Sequence, residues 1–417
     1  MLKKRSGGGG IFIVTLIDVF KSGISMFRKI IFYTIVFGII LIPVIMFLAW
    51  VLAPKKVMPI LIVDKTVLTP EGQEHNSFTW LLWHQKYVKA NGDFYYTESD
   101  YFGFFPKTGD TFEIRDLMSY SSGQIDELSQ EFAGAYYTDT YGMYYNEWFL
   151  DTLQSENSRK VYGGMDEHDF LFLKLMKEQE KLILMEFNTI GNPTSSNIRS
   201  RTEELLHIRW SGWTLRYFHL LDTLGNTEIP QWVVRGYLEQ HGNQWPFRKA
   251  GIVFVHEDGR LFILEEEKDL RLEVPLMRFS SYAQGTFGLP EKVYYPYWID
   301  ITYPTDPAIN VLADFYILPT QKGDSIMRKY GVPHIFPAIQ QYLGSYWFYY
   351  FSGDFSDNEI SNQSKYFRGL PLLKYGFANR NDLNNRSVFF YTVYFPMVKK
   401  IMKDYYNRER NLFPETP

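Results

Sequence analysis

The chain has 417 residues, 46% of them hydrophobic and 18% aromatic, with a formal net charge of −4; that supplies a large core and room for about two domains. It contains no Cys, which excludes disulfides, thiolate zinc sites and cysteine nucleophiles. Charge is uneven: residues 1–56 carry eight basic residues against one acid, and the remainder 35 basic against 46 acidic. An acidic body argues against nucleic acid as a partner.

The chain opens with a basic segment, 1–29, that holds a flexible glycine run at Gly7–Gly10 and a short apolar stretch, Ile11–Phe20. That stretch is too short to span a bilayer and is expected to lie along the membrane face or against a partner's helices. Residues 30–53 follow without a charge (IIFYTIVFGIILIPVIMFLAWVLA). They are long enough for one transmembrane helix, read here as an uncleaved anchor. Lys3, Lys4, Arg5, Lys21, Arg28 and Lys29 precede it, which predicts a cytoplasmic N-terminus and an extracytoplasmic body at the plasma or inner membrane.

Beyond the anchor, strands alternate with helices. PILIVD (Pro59–Asp64) reads as a buried strand and Glu74–Val88 as a helix. A Tyr- and Gly-rich loop or hairpin comes next, then a helix at Gln124–Phe132 and a short strand at Ala135–Thr138. A helix is expected at 166–178, a strand at Lys181–Phe187 and helices at Thr194–Leu206 and Ile229–Gln240. This alternation predicts an α/β domain over 57–245 with a parallel sheet flanked by helices. From 246 the pattern changes. GIVFVHEDGRLFILEEE is a hairpin signal, and 246–417 reads as a β-rich extension with helices at Ile335–Leu343 and Tyr391–Asn407.

Ligands of parallel α/β sheets bind at the carboxyl ends of the strands. That rule selects Asp64 and Lys65, Asp139 and Tyr141, and Glu186, Asn188 and Thr189. His75 stands at the start of the first helix, within reach of the same rim. Asp139 and Glu186 would form the carboxylate pair that glycoside cleavage requires. Acids at strand ends also commonly cap helices or pair with a nearby Lys. No His-Glu-x-x-His or comparable metal motif, no Walker loop, no Gly-x-Gly-x-x-Gly and no Gly-x-Ser-x-Gly is present, so no metal or cofactor is expected. In WSGWTLRYF (Trp210–Phe218), Trp213 and Arg216 offer a stacking face and a polar clamp for a sugar; alternatively this is a strand with Trp210 and the alternate residues inward. YWFYYFSGDFSD (Tyr346–Asp357) reads as an aromatic strand ending in carboxylates, either a second wall of the cleft or an aromatic docking face.

The order strand, helix, strand with Asp-Thr-Tyr-Gly, helix, then KLILMEFNTIGNPTSS resembles the class-I glutamine-amidotransferase-like domain, a flavodoxin-like fold, over roughly 57–245. In that family the nucleophilic Cys sits at the turn after a central strand. The matching turn here is Glu186-Phe187-Asn188-Thr189, with no Cys and no His-x-Glu pair downstream. The resemblance therefore implies the scaffold without glutaminase activity, as in Cys-less membrane-anchored relatives that bind ligands or partners beside envelope transporters. The expected function is a membrane-anchored binding or assembly component of cell-envelope machinery, in polysaccharide synthesis or export or in a transporter complex. Its partners would be other envelope membrane proteins and a glycan. The alternative is a glycan-acting hydrolase using Asp139 and Glu186.

Overall fold

In the computed structural model, residues 28–409 are described, apart from 30, 35–36, 110, 149–158, 227, 378, 380–382 and 384. The basic segment 1–29, with its glycine run and its Ile11–Phe20 stretch, falls almost wholly outside the described residues. The described chain forms two units. The first holds α1 (Ile31–Val51), which is long and apolar enough to cross a membrane; a helix of this composition near an N-terminus also suits a signal sequence. Residues Tyr366–Leu370 belong to the same unit. There Tyr366 meets Trp50 edge-on with ring centroids 4.9 Å apart, Phe367 lies 6.4 Å from Phe47, and the Arg368 N–H donates to the Met46 carbonyl at 3.1 Å.

The second unit covers 54–365 and 371–417. Along the chain, β1 (Lys56–Val57) and β2 (Ile60–Asp64) lead to α2 (Gln73–Gln85) and β3 (Tyr87–Val88). A hairpin of β4 (Phe102–Pro106) and β5 (Phe112–Arg115) precedes α3 (Ser122–Glu131), β6 (Gly134–Asp139), β7 (Met143–Tyr144), α4 (Tyr145–Trp148) and β8 (Lys160–Tyr162). Then come α5 (Glu167–Glu178), β9 (Leu182–Glu186), α6 (Ser196–Leu206), β10 (Ile208–Phe218), α7 (Gln231–Gln240), β11 (Gly251–His256) and β12 (Leu261–Glu265). These are followed by β13 (Leu276–Phe279), α8 (Ser281–Phe287), β14 (Lys292–Tyr294), β15 (Ile299–Pro304), β16 (Asn310–Tyr316), α9 (Gln321–Tyr330), β17 (Ile335–Leu343) and β18 (Trp347–Phe351). The tail holds α10 (Leu370–Phe377), α11 (Arg386–Phe389), a π-helical turn at Phe390–Tyr394 and α12 (Phe395–Glu409).

A ten-stranded sheet in the order β14-β13-β16-β17-β18-β9-β6-β2-β4-β5 forms the centre. Five of its strands, β4-β2-β6-β9-β18, are parallel. By chain rank their order is 2-1-3-4-5, a common doubly wound arrangement. Antiparallel strands flank this block: β5 at one edge and β17, β16, β13 and β14 at the other. The sheet is therefore mixed, where the sequence pattern predicts a parallel one. The β-rich part is not simply appended after the α/β part either. Residues 187–346 are inserted between the fourth and fifth parallel strands, and β18 returns to pair with β9. Part of the insert widens the central sheet. The rest builds a second, four-stranded sheet in the order β12-β11-β10-β15.

Every residue of β2 and β9 is buried, because both faces of the parallel block are covered. One face, with Ile60, Ile62, Tyr136 and Leu184, shares a core with α2, α12 and Leu215, Ile252 and Phe254 of the second sheet. The other, with Leu61, Val63, Tyr137 and Met185, packs on Phe172, Leu173 and Met176 of α5 and Ile198 of α6. Sequence signals fix the helix starts. Asp166 caps α5 in a capping box with Asp169, and the Ser195 hydroxyl accepts from the Ile198 N–H to start α6. The predicted helix at Ile335–Leu343 is strand β17. Its apolar spacing fits either period, and Pro337 pairs with Asp314 beside a register irregularity, where a strand tolerates a residue without an N–H.

Candidate functional site

The residues selected at the strand ends separate onto the two faces of the sheet. Successive side chains alternate, so Asp64 and Lys65 part company at the end of β2. Asp64 is fully buried. One of its carboxylate oxygens accepts from the Thr66 N–H at 3.0 Å and the other lies 2.6 Å from His75 Nδ1. His75 Nε2 reaches the Thr97 carbonyl at 2.9 Å. A carbonyl only accepts, so Nε2 is the donor in that bond. His75 is 1% exposed, so the pair ties β2 to α2 and the loop before β4 and does not face solvent.

Lys65 goes to the opposite face. Its ammonium donates to Asp169 at 2.7 Å, Asp166 and the Gly164 carbonyl at 3.2 Å, and Asp116 at 3.3 Å. The three carboxylates have oxygens within 4.8 Å of one another, a set that would suit a metal ion. The lysine nitrogen occupies the place such an ion would take. Those carboxylates raise the Lys65 pKa against the effect of its burial. Burial pushes Asp169 up to about 7, and Lys65 opposes this.

The crevice at the strand-order reversal, between the ends of β2 and β6, is where a doubly wound sheet ordinarily takes its ligand. Here it is stitched closed. The Thr66 hydroxyl donates to Asp139 at 2.8 Å and accepts from the Gly142 N–H at 2.8 Å, while the Lys65 N–H donates to the Asp139 carbonyl at 2.8 Å. The Tyr141 N–H caps Asp139 at 2.6 Å, and its ring lies 4.8 Å from Tyr144. Burial raises the Asp139 pKa to about 8, aided by the nearby carboxylates of Asp64 and Asp300 and opposed by the bonds from Tyr141 and Thr66.

Glu186 is 1% exposed. One oxygen accepts from the Tyr136 hydroxyl at 2.7 Å; the other accepts from the N–H groups of Phe355 and Ser356 at 3.1 and 2.9 Å. Burial lifts its pKa to about 7 against these bonds. The side chain pins the loop after β18. At the following turn Asn188 adopts a left-handed conformation, φ 65°, which Asn tolerates better than most residues. Its N–H donates to Asp300 at 2.9 Å. A carboxylate thus takes up this backbone donor. Thr189 is buried, and its hydroxyl donates to the Glu186 carbonyl at 2.7 Å.

Of the Trp-rich stretch, Trp213 is 5% exposed and packs edge-on against Phe262 and Tyr330. Trp210 is buried too; a register irregularity between Trp210 and Thr214 breaks the alternation expected from Trp210 and turns Trp213 inward as well, so no stacking platform forms. Phe348, Tyr349, Tyr350 and Phe351 are equally buried. The aromatic run at 346–351 is central-strand packing, and the docking-face expectation is overturned.

Arg216 points elsewhere. It lines a cavity of about 760 Å³ together with Gln73, Glu228, Tyr297, Asn385 and Arg386, among others. One guanidinium nitrogen donates to Glu228 at 3.0 Å while Nε is buried without a partner. The group stacks 4.8 Å from the Phe218 ring. Arg386 covers the Tyr297 ring at 4.1 Å, bonds the Asp357 carboxylate and its carbonyl, and lies 3.7 Å from Asp354. Gln73 also bonds Asp357. Burial and the neighbouring Asp357 hold the Asp354 pKa well above the usual carboxylate range. Burial likewise raises Glu74, aided by Asp64 and Asp357. Asp354 and Asp357 thus flank Arg386 of the cavity wall. Sequence reasoning missed Arg386, Gln73 and Tyr297, because each joins the site from a distant segment with no local motif. Asp300 did carry a signal, a lone acid inside the apolar run of β15.

No known family model and no curated protein matches the chain. Among solved structures it is similar to a ThuA-like protein from Bacteroides uniformis ATCC 8492, with a TM-score of 0.31 and 9% identity over 76% of this chain and 89% of that one. It is also similar to the cold-adapted β-galactosidase from Rahnella sp. R3, with a TM-score of 0.30 and 8% identity over 74% of this chain, spanning 30% of that protein's length.

Proposed function

We propose that this chain is a membrane-anchored, extracytoplasmic binding component of cell-envelope machinery, serving polysaccharide synthesis or export or a transporter complex. On this reading it uses an amidotransferase-like scaffold without glutaminase chemistry. The observation that carries the reading is the polar cavity of about 760 Å³ walled by Arg216 and Arg386. The planar polar side chains of Gln73, Asn385, Glu228 and the two arginines, next to the Tyr297 ring, suit a polyhydroxylated ligand such as a glycan segment. The apolar α1 and the basic residues before it support an anchored body with an inward N-terminus. The parallel order 2-1-3-4-5 supports the scaffold assignment.

Gentle-detergent purification from the native membrane, with identification of co-purifying subunits, tests the proposal. A reproducible glycosyltransferase or transporter subunit is the expected result. A solitary monomer that binds no envelope saccharide would overturn it.

A second reading, a glycan-acting hydrolase with Asp139 and Glu186 as its pair, draws on the raised pKa of Asp139. That group keeps its proton at neutral pH, the form a general acid needs. Loss of glycan cleavage in Asp139→Asn, with the fold intact by circular dichroism, would favour this reading over the first.

A further inference from the structure

Leu372, Leu373 and Phe377 are 76%, 44% and 86% exposed on α10, an arrangement that needs an apolar partner. Two observations say what that partner is. First, α10 begins at Leu370, the last residue of the segment that packs on α1 at Met46, Phe47 and Trp50. Met46 stands roughly 8 Å before the end of α1, at a rise of about 1.5 Å per residue. A bilayer crossed by α1 would cover that level. An eight-residue helix is about 12 Å long, so no part of α10 lies farther than that from Leu370. Second, residues 360–380 contain Lys365, Arg368, Lys374 and Arg380, the aromatics Tyr366, Phe367, Tyr375 and Phe377, and no acid, within a body otherwise rich in acids. Basic and aromatic residues around exposed leucines are the composition of an interfacial membrane segment, and the cations match anionic headgroups.

We infer that α10 is a second membrane contact: it lies in the interface of the bilayer that receives α1, with Leu372, Leu373 and Phe377 among the acyl chains. The inference rests on the anchoring proposed above. It gives the chain a second point of contact with lipid besides α1.

The absence of Cys makes the test direct. Single-Cys variants Leu372→Cys, Phe377→Cys, Val44→Cys and Leu224→Cys of the full chain are labelled with an environment-sensitive fluorophore. They are reconstituted in phosphatidylcholine–phosphatidylglycerol vesicles carrying a doxyl quencher on the acyl chains. Val44 reports the span; Leu224, 91% exposed, reports the aqueous body. At 372 and 377 quenching at least twofold above that at 224 is expected, with strong quenching at 44. Quenching at 44 but not at 372 or 377 would overturn the α10 assignment and leave the anchor standing. Blue-shifted emission at 372 and 377 without quenching would mean that protein covers this face, and would also overturn the lipid assignment. No quenching at 44 would remove the anchor, and the inference with it.

Discussion

Lys65 shows how one residue can settle a question of chemistry. Three carboxylates converge, yet the cation they surround is part of the chain. Removing it leaves Asp116, Asp166 and Asp169 to repel one another in a buried site. Breaking a buried ion pair from one side costs about 3–5 kcal/mol, so Lys65→Ala is expected to lower the thermal midpoint by many degrees. The cavity left by the side chain retains the oxygen set. Added calcium or magnesium should therefore raise the midpoint of Lys65→Ala more than that of the unmodified chain. Equal, small responses to the metal would show that the three carboxylates disperse once the lysine is gone.

At the scale of elements, the loop after β18 is held from two directions. Glu186 bonds its backbone at Phe355 and Ser356, and Arg386 at the start of α11 bonds Asp357. Arg386→Ala should loosen the 354–357 loop and the cavity wall while leaving the sheet intact. Faster amide exchange at 354–358, with unchanged protection in β9 and β18, is the expected reading; unchanged exchange throughout would show that Glu186 alone suffices. The sequence reveals the elements unevenly. The strands ending in Asp64, Asp139 and Glu186 were legible because fully buried apolar runs stop abruptly at a polar residue. The start of α6 is set locally, by the bond from the Ile198 N–H to the Ser195 hydroxyl. β17 was misread because IFPAIQQYL satisfies both periods, and its neighbours β16 and β18, which decide the matter, are not local. The site was legible where residues stop strands. It was not legible where Arg216 and Arg386 meet, because they are brought together only by the folding of the insert and the tail.

For the whole molecule, buried carboxyl groups set the pH response. Asp139 is raised to about 8, Glu186 and Asp169 to about 7 and Asp300 to about 6, all chiefly by burial. A carboxyl with a raised folded-state pKa binds its proton more tightly in the folded state. Stability therefore grows as pH falls through the folded pKa and levels off near the unfolded value of about 4. Asp166, lowered by Lys65 and by backbone N–H groups against the effect of its burial, works in the opposite sense below that. The thermal midpoint should climb from pH 8 to about pH 5 and fall under stronger acid. Glu186→Gln can keep the same hydrogen bonds without the titration, with the Tyr136 hydroxyl turned toward Tyr394, 3.1 Å away. It should flatten part of the climb around pH 7. A midpoint constant from pH 8 to 5 would mean that these groups are not desolvated as described.

The placement of β18 also imposes a schedule. Its parallel neighbour β9 leaves the ribosome well before it, with residues 187–346 in between. At about 5–20 residues per second the wait is roughly ten to thirty seconds. Throughout it, β9 presents an open row of backbone donors and acceptors along an apolar strand, a template for any extended segment that passes. Biogenesis of this chain should therefore depend on something that guards the nascent sheet until residue 351 has emerged. A chain cut short before that point should aggregate rather than persist as a smaller domain.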